Sequence, residues 1–355
     1  MEDNLKLVER FGAKKISDLK ELPDFYTFNK QLIYSHRDFD KFFKKLQNGE
    51  KSAIVSGFNA SGTIHLGHKV VFDTNLFFQK KYDCQLFIPI SDDESYVAGK
   101  IDNQEQGLKY AITLAKQLLA YGFDPQKTFI IIDQIYTNIY NLAIKLSRKL
   151  TLSEIRATYG YENQDNPGLF FYPTIQSAHV LLPQEFGIKN VLVPIGPDED
   201  SHLRIARDLA NRFDYEKPSV IHLKFLPGLD GQKMSKSKNN AIFLMDDERA
   251  INKKVNKAIS GGKETVEEHR EKGGDPQKDM SFQYLKYLFL DEKETVKLEE
   301  EYKKGKILSG EMKNLLKEHL LKYTQQTQKA LENIDIETLD KALLKNKEID
   351  YKKHF

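Results

Sequence analysis

Five short apolar runs limit what this chain can fold into. Each is rich in Ile, Val, Leu or Phe and is followed by residues with helical periodicity; the runs are 53–56, 86–90, 129–133, 191–195 and 220–225. Nearly continuous apolar runs of this length are typical of strands that are buried on both faces, as in a parallel sheet covered by helices. The sequence therefore predicts an α/β fold built on a doubly wound parallel sheet.

Composition excludes few functions. The formal net charge of +2 in 355 residues neither supports nor excludes a nucleic-acid partner, because a basic surface can be local. The single cysteine, Cys84, excludes an internal disulfide and a zinc site built from cysteines, and it is typical of a reducing compartment. No apolar run approaches the length of a membrane span, so we expect a cytoplasmic protein with no membrane partner.

The first predicted strand leads into a junction of the kind that holds phosphate. Gly57 and other small residues follow the strand, and His65 and His68 stand where an amphipathic segment begins. A strand, a tight turn and a helix N-terminus leave backbone amides exposed to an anion. The two histidines are three residues apart and share one face of the first helical turn, so one anionic group could contact both. In isolation, the pattern also fits an ordinary helix start with two solvated histidines.

A lysine-rich loop lies far downstream, in the sequence Lys233-Met234-Ser235-Lys236-Ser237. A mobile loop that carries permanent cations could close over a leaving pyrophosphate. Such a loop alone is more often a solvated turn. The order and separation of the two motifs strengthen the functional interpretation, because HLGH and KMSKS together resemble the HIGH and KMSKS signatures of class I aminoacyl-tRNA synthetases.

Two acidic loops follow other predicted strands: SDDES comes after 86–90, and GPDED comes after 191–195. Ligands of doubly wound sheets bind beyond the carboxyl ends of the strands, where these loops are expected. Gly196 permits close approach and Asp198 could accept hydrogen bonds from ribose hydroxyls, although a plain β-turn is as good an explanation. The DDE run has no His or Cys partner at a fixed spacing. We therefore predict no metal site built by the protein, and Mg²⁺ bound to ATP instead.

Over almost its whole length the chain resembles the tryptophanyl-tRNA synthetases of the archaeal and eukaryotic type. The matching segments are LVERFGAKKISD, SHRDFD, HLGH, PISDDE, FYPTIQ, VLVPIGPDED, HLRIARDLA, KMSKS, AISGGKETVEEHREKGG and LSGEMKNLL. The resemblance implies activation of tryptophan by ATP with Mg²⁺, transfer to the terminal adenosine of tRNA(Trp), and a homodimer. It also implies a Rossmann-like catalytic domain followed by a helical anticodon-binding domain.

The domain boundaries that we expect follow from this pattern. Residues 1–50 form an appended segment, and 51–237 form the catalytic domain. Helical patterns dominate at about 101–183, which predicts an insertion between the two halves of the sheet. The C-terminal all-helical domain occupies 238–355.

The motifs and the resemblance together lead us to expect three sets of site residues. The catalytic set is His65, His68, Lys233 and Lys236. The ATP-binding set is Gly57, Gly67, Gly196, Asp198, Met234 and Ser235, with Gly67 under the adenine. The amino-acid-binding set is Glu94, Gln176, His179 and Glu199, in which Glu94 and Gln176 match positions that hold the substrate's ammonium group.

The chain departs from the family where the indole ring is recognised. A tyrosine of the first strand is replaced by Ile54, and a glutamine before the acidic run is replaced by Pro89. A further glutamine, in the ribose-binding motif of the family, is replaced by Glu199, and the lysine that follows DDE is replaced by Ser95. His179 stands where bacterial tryptophanyl enzymes place an indole-binding aspartate, and a neutral imidazole nitrogen can accept the indole N–H. We therefore expect His179 to replace the lost partners, with a core histidine as the alternative.

Three other functions remain open from the sequence. A tyrosyl-tRNA synthetase is the nearest, because GFNASGTIHLGH also resembles archaeal tyrosyl enzymes, which place an aspartate where His179 stands. Nucleotidyltransferases share the HxGH pattern but are shorter and lack the helical C-terminal region. A synthetase-like paralogue could bind tRNA without charging it.

Overall fold

The structure is a computed structural model, and it describes residues 8, 11–60, 63–232, 234 and 240–347. Within these ranges, none of the helices combines the length and the apolar character that crossing a membrane requires.

An eight-stranded sheet forms the centre of the fold. Its strands are β1 Lys14–Lys15, β2 Ile33–Arg37, β3 Ser52–Val55, β4 Phe58–Asn59, β5 Gln85–Ser91, β6 Thr128–Ile132, β7 Asn190–Ile195 and β8 Ser219–Leu223. The order is β1-β2-β8-β7-β3-β5, and β4 and β6 both pair with β5. All pairings from β8 to β6 are parallel, whereas β1–β2 and β2–β8 are antiparallel. The predicted parallel, doubly wound sheet is confirmed.

Helices cover the sheet and make up most of the C-terminal part of the described chain. They are α1 Tyr26–Asn29, α2 Phe39–Gln47, α3 Lys69–Tyr82, α4 Asp92–Val97, α5 Gln104–Ala120, α6 Asn138–Ser147, α7 Leu152–Tyr159, α8 Pro167–Glu185, α9 Asp200–Arg212, α10 Glu248–Asn256, α11 Val266–Lys272, α12 Met280–Tyr284, α13 Glu292–Lys303, α14 Ser309–Glu332 and α15 Ile336–Ala342. Short 3₁₀ turns occupy Ile16–Asp18, Leu66–His68 and Pro197–Glu199, and a π-helical turn occupies Leu285–Phe289.

The strand order places a topological switch point at β3, whose neighbours are β5 on one side and β7 on the other. The chain leaves the sheet in opposite directions from these strands, which opens a crevice at their carboxyl ends. Ile54 of β3 and Phe87 of β5 are 1% and 0% exposed, as expected of strands covered by helices on both faces. The loops after β3, β5 and β7 therefore emerge at the edge where doubly wound sheets bind ligands.

The chain divides into two compact units. The first contains the whole sheet, α1, α2, α4 to α9, α15, and α3 from Asp73 onward. The second contains Thr63–Phe72 and the helices within Phe225–Asn333. α15 belongs to the sheet unit because Leu344 donates its backbone N–H to the carbonyl oxygen of Ile130 in β6 at 2.8 Å. The boundaries that we expected at 50 and 238 stay a prediction.

The second unit is organised around α14. Met312, Leu316 and Leu320 are fully buried and four residues apart, which places them on one face of this helix. That face packs with α10 and α12. The other helices of the unit begin at side chains that accept a hydrogen bond from an amide three residues later; they are Asp247, Thr265, Asp279 and Asp291. Such N-caps satisfy amides that the helix itself leaves unpaired.

Candidate active site

The HLGH segment forms a 3₁₀ turn in the second unit. Nδ1 of His65 accepts the backbone N–H of Gly67 at 3.1 Å, so the neutral ring carries its proton on Nε2. Nδ1 of His68 lies 3.1 Å from the backbone nitrogen of His65, and the two ring centroids are 4.0 Å apart. Burial lowers the pKa of His65 to about 4 and that of His68 to about 3. At neutral pH both rings are uncharged, and His65 offers an N–H donor rather than a cation.

Gly67 allows the second motif to approach this turn. A Cβ on Gly67 would lie 2.9 Å from Nδ1 of His65 and 3.1 Å from the sulfur of Met234. A short antiparallel bridge joins His65 to Phe243, and Leu66 donates its N–H to the carbonyl oxygen of Ile242 at 2.8 Å. Two motifs that are far apart in sequence are therefore adjacent in the second unit. Of the KMSKS loop only Met234 is described, and Lys233, Ser235 and Lys236 lie outside the described residues.

In the first unit, Glu94 lies in the first turn of α4, directly after β5. One of its oxygens is 2.7 Å from Nζ of Lys100, and the other accepts a hydrogen bond from the amide of Asn59 in β4. Ser95 bonds both the side chain of Asn59 and the carbonyl oxygen of Ser91, the latter at 3.0 Å. The Glu94 carboxylate is thus held beyond the carboxyl ends of β4 and β5, with 13% of its side chain exposed.

Gln176 and Glu199, both predicted to bind the amino acid, are brought together. Nε2 of Gln176 donates to Glu199 at 3.4 Å, and Oε1 of Gln176 accepts the hydroxyl of Tyr159 at 2.6 Å. His202 lies 3.0 Å from the same Glu199 oxygen, and its ring stacks on Tyr159 at 4.1 Å with an interplanar angle of 2°. The hydrogen bond from His202 lowers the pKa of Glu199. Tyr159 and His202 were not anticipated, because only their contacts across α7, α8 and α9 reveal them.

Asp198 lies on the 3₁₀ turn that follows β7, and the next helix holds this turn in place. Asp200, the first residue of α9, receives hydrogen bonds from Nε and Nη2 of Arg37 at 2.7 and 2.8 Å. Nε2 of His222 in β8 lies 3.0 Å from the same carboxylate. Gly196 before the turn has φ −72°, which any residue can adopt. The turn is therefore anchored by side chains of β2 and β8, and not by glycine geometry.

Ile54 and Pro89, the two residues at the positions that we expected to face the indole ring, are both buried in the sheet. Ile54 is 1% exposed in β3, and Pro89 is buried in β5 opposite Ile131 of β6. Neither side chain has a hydrogen-bonding group. A Cβ on Gly57 would lie at ordinary van der Waals distances from Pro89, so steric crowding does not require glycine at this position.

His179 points from α8 into a buried group of carboxyls. Its Nε2 is 2.7 Å from Oδ1 of Asp133, which follows β6. Asp92 accepts the backbone N–H of Asp133 at 2.9 Å and the amide of Gln134 at 2.5 Å, and Asp93 accepts the N–H of Glu94 at 2.6 Å. Burial raises the pKa of Asp93 to about 8 and raises that of Asp133, and it lowers the pKa of His179 to about 4.

These carboxyls are also the described residues that are best placed to hold a cation. Asp92, Asp93 and Asp133 each present an oxygen within 4.8 Å of the others. N–H groups of the protein already donate hydrogen bonds to oxygens of all three aspartates, so the three form a hydrogen-bonded cluster. Asp133 was not singled out from the sequence, although an acidic residue at the carboxyl end of an apolar run is a usable signal.

The fold and the two motifs define a class of enzyme, and comparisons with known proteins agree. A family model described as tRNA synthetases class I (W and Y) matches residues 47–325. The chain therefore belongs to this family of class I tRNA synthetases.

Relatives narrow the similarity further. The tryptophan–tRNA ligase of Saccharolobus solfataricus is 36% identical over 90% of this chain and 87% of its own length, and that of Methanocaldococcus jannaschii is 37% identical over 90% of both. Among solved structures, tryptophanyl-tRNA synthetase from Giardia lamblia superposes with a TM-score of 0.87 at 30% identity, covering 96% of this chain and 95% of its own. The enzyme from Aeropyrum pernix K1 gives 0.87 at 30% identity, with 97% of each chain covered. The predicted resemblance is confirmed.

Proposed function

We propose that this chain is a tryptophan–tRNA ligase, which activates tryptophan with ATP and transfers it to tRNA(Trp). The observation that carries the enzymatic part is the proximity of Met234, from the lysine-rich loop, to Gly67 of the HLGH turn, where an added Cβ would lie 3.1 Å from the Met234 sulfur. The choice of tryptophan is supported by relatives that bear the name of the tryptophan enzyme over nine-tenths of the chain.

The activation step needs positioning and cations more than an acid or base. The tryptophan carboxylate attacks the α-phosphorus of ATP, the bond to the bridging oxygen breaks, and pyrophosphate leaves. His65, which is neutral at pH 7, donates from Nε2 to phosphate oxygens, together with His68. Lys233 and Lys236 stabilise the charge that grows on the leaving pyrophosphate. Mg²⁺ bound to ATP would neutralise part of the same charge.

Gly57, Gly67, Gly196, Asp198, Met234 and Ser235 form the proposed ATP-binding set. Among them, Asp198 accepts the ribose hydroxyls, and the buried network around Asp200 keeps its turn in place. In the transfer step the 2′-hydroxyl of the terminal adenosine attacks the carbonyl carbon of the adenylate, and AMP leaves.

Glu94, Gln176, Glu199 and His179 form the proposed amino-acid-binding set. Glu94 accepts the ammonium group, and the hydrogen-bonded pair of Gln176 and Glu199 orients it. His179 accepts the indole N–H, since neither Ile54 nor Pro89 offers a side-chain acceptor. We further propose a cytoplasmic homodimer whose C-terminal helices bind the anticodon.

Pyrophosphate exchange into ATP, measured with each of the twenty amino acids, tests this function. We expect strong exchange with tryptophan alone, and a loss of about a hundredfold or more in Lys236→Ala, because a transition-state cation is removed. Lys253→Ala is the control, since Lys253 is exposed on α10 and outside the proposed site.

Strong exchange with tyrosine and not tryptophan would instead assign a tyrosyl enzyme. Exchange with no amino acid, combined with retained binding of tRNA(Trp) in a filter assay, would identify a paralogue that does not charge.

A further inference from the structure

We propose that Asp133 determines specificity for the indole ring by holding the proton of His179 on Nε2, which leaves Nδ1 to accept the indole N–H. This proposal rests on the proposed function and adds the residue that orients His179 in the amino-acid-binding site. Asp133 acts through His179 and is therefore a positioning residue.

The contact between the two side chains is short and buried. Nε2 of His179 and Oδ1 of Asp133 are 2.7 Å apart, and the side chains are 3% and 0% exposed. A neutral imidazole carries one proton, so the nitrogen that faces a carboxylate donates and the other nitrogen accepts. Burial lowers the pKa of His179 to about 4, and the ring is consequently neutral at pH 7. A carboxylate at Nε2 thus selects the tautomer that can receive an N–H at Nδ1.

Asp93 allows Asp133 to remain the acceptor. The second oxygen of Asp133 is buried and has no amide or hydroxyl donor among the described residues, while its carboxyl is hydrogen-bonded to that of Asp93. Neighbouring buried carboxyls share a proton, because two adjacent charges are costly. Burial raises the pKa of both carboxyls, that of Asp93 to about 8, so the pair keeps a proton at pH 7. Their mutual hydrogen bond lowers the pKa of Asp133 and raises that of Asp93, which favours the proton on Asp93. With the proton on Asp93, Asp133 accepts from both Asp93 and His179.

A proton on Asp133 rather than on Asp93 would lead to a different expected result. If Asp133 were protonated and donated to Nε2, His179 would carry its proton on Nδ1. The indole N–H would then meet another donor, and the enzyme would gain nothing from the N–H of its substrate. A divalent cation held by Asp92, Asp93 and Asp133 would likewise remove Asp133 as an acceptor for His179.

The test compares tryptophan with benzothienyl-alanine, in which a sulfur replaces the indole N–H in a ring of the same shape. Values of kcat and KM for each substrate are measured by pyrophosphate exchange. In the wild type we expect tryptophan to be preferred about tenfold or more in kcat/KM, the worth of one buried hydrogen bond.

Asp133→Asn should lose most of this preference through a rise in KM for tryptophan, while kcat/KM for the analogue stays within about threefold of wild type. The reason is that an amide can donate to Nε2 and stabilise the wrong tautomer. Asp93→Asn should keep the preference, because its amide still donates to Asp133. Ser177→Ala is the packing control, since among the described residues the Ser177 hydroxyl bonds only the carbonyl oxygen of Pro173, at 2.8 Å, on the same helix.

Three results would overturn the inference: an unchanged preference in Asp133→Asn, an equal loss for both substrates, or one equivalent of divalent metal that copurifies and is lost in Asp133→Asn. If Asp133→Asn does not fold by circular dichroism, nitrogen NMR of histidine-labelled wild type decides. An unprotonated Nδ1 on His179 supports the proposal, and a protonated one refutes it. A wild type that does not exchange with tryptophan would refute the proposed function instead.

Discussion

Arg37→Met tests how firmly β2 is tied to the turn that carries Asp198. Arg37 donates two hydrogen bonds, at 2.7 and 2.8 Å, to the carboxylate of Asp200, and the two side chains are 10% and 1% exposed. Methionine keeps the apolar stem but removes the charge. Breaking a buried ion pair from one side costs about 3–5 kcal/mol. His222 at 3.0 Å and Arg204 at 3.4 Å still contact the carboxylate, so we expect the lower end, about 3 kcal/mol.

The measurement is the free energy of unfolding in urea at pH 7. Lys41→Met is the matched control, because Lys41 lies 2.8 Å from Asp38 but its side chain is 71% exposed. We expect no measurable change in its urea midpoint. A loss below about 1 kcal/mol in Arg37→Met would show that Asp200 does not depend on Arg37, and would refute the reasoning.

The pH dependence of this effect has a definite sign. Burial alone would raise the pKa of Asp200, but the hydrogen bonds from His222 and Arg37 outweigh it and hold the pKa well below its usual range. A depressed carboxyl pKa stabilises the fold above the unfolded value of about 3.9, and this stability is lost as pH falls through the folded pKa. The difference between wild type and Arg37→Met should therefore be full at pH 6 and shrink below about pH 4.

Two further outcomes follow from local geometry. Gly273→Ala should lower the free energy of unfolding by more than about 2 kcal/mol, because Gly273 has φ +69° and a Cβ there would lie 1.8 Å from the carbonyl oxygen of Lys303. Gly310→Ala, at a helical site with nothing within 4 Å, should leave urea stability unchanged or higher, and an equal loss in both variants would contradict the steric argument. Burial raises the pKa of Cys84 to about 12, so its thiol should not react with Ellman's reagent at pH 8 until the protein is unfolded in urea. Rapid reaction of the native thiol would show that the site opens.

Five of the six parallel strands were predictable because each is a continuous apolar run, whereas the two-residue β4, Phe58–Asn59, was not predicted. The runs at 86–90 and 129–133 correspond to Gln85–Ser91 and Thr128–Ile132, with shifts of one residue at the ends. The hairpin of β1 and β2 was not anticipated. Lys14–Lys15 is polar and exposed, and Ile33–Arg37 buries Ser35 and His36 against β8, almost two hundred residues away. No local pattern encodes a pairing whose partner is so distant.

In the candidate site too, some features could be predicted from the sequence and others could not. The loops that carry Glu94 and Asp198 could be placed from the sequence, because parallel strands bring their carboxyl ends to one edge. The partners of these residues could not. Tyr159 contacts Gln176 and His202 across three helices, and Asp133 contacts His179 across a strand and a helix. Such contacts depend on packing angles, which residue spacing does not specify.

Two buried carboxyls at the same sheet show why Asp133 invites a functional explanation. Asp200 is surrounded by Arg37, Arg204 and His222, and its pKa is lowered, so its burial stabilises the fold. Asp133 is as deeply buried, yet its ionisable neighbours in the cluster are two more aspartates and a neutral histidine, and its pKa is raised. Burying a carboxyl group without a cation costs stability, which an apolar side chain would avoid. Such a group is useful where it recognises a ligand, and under the proposed function His179, 2.7 Å away, is the side chain through which Asp133 does so.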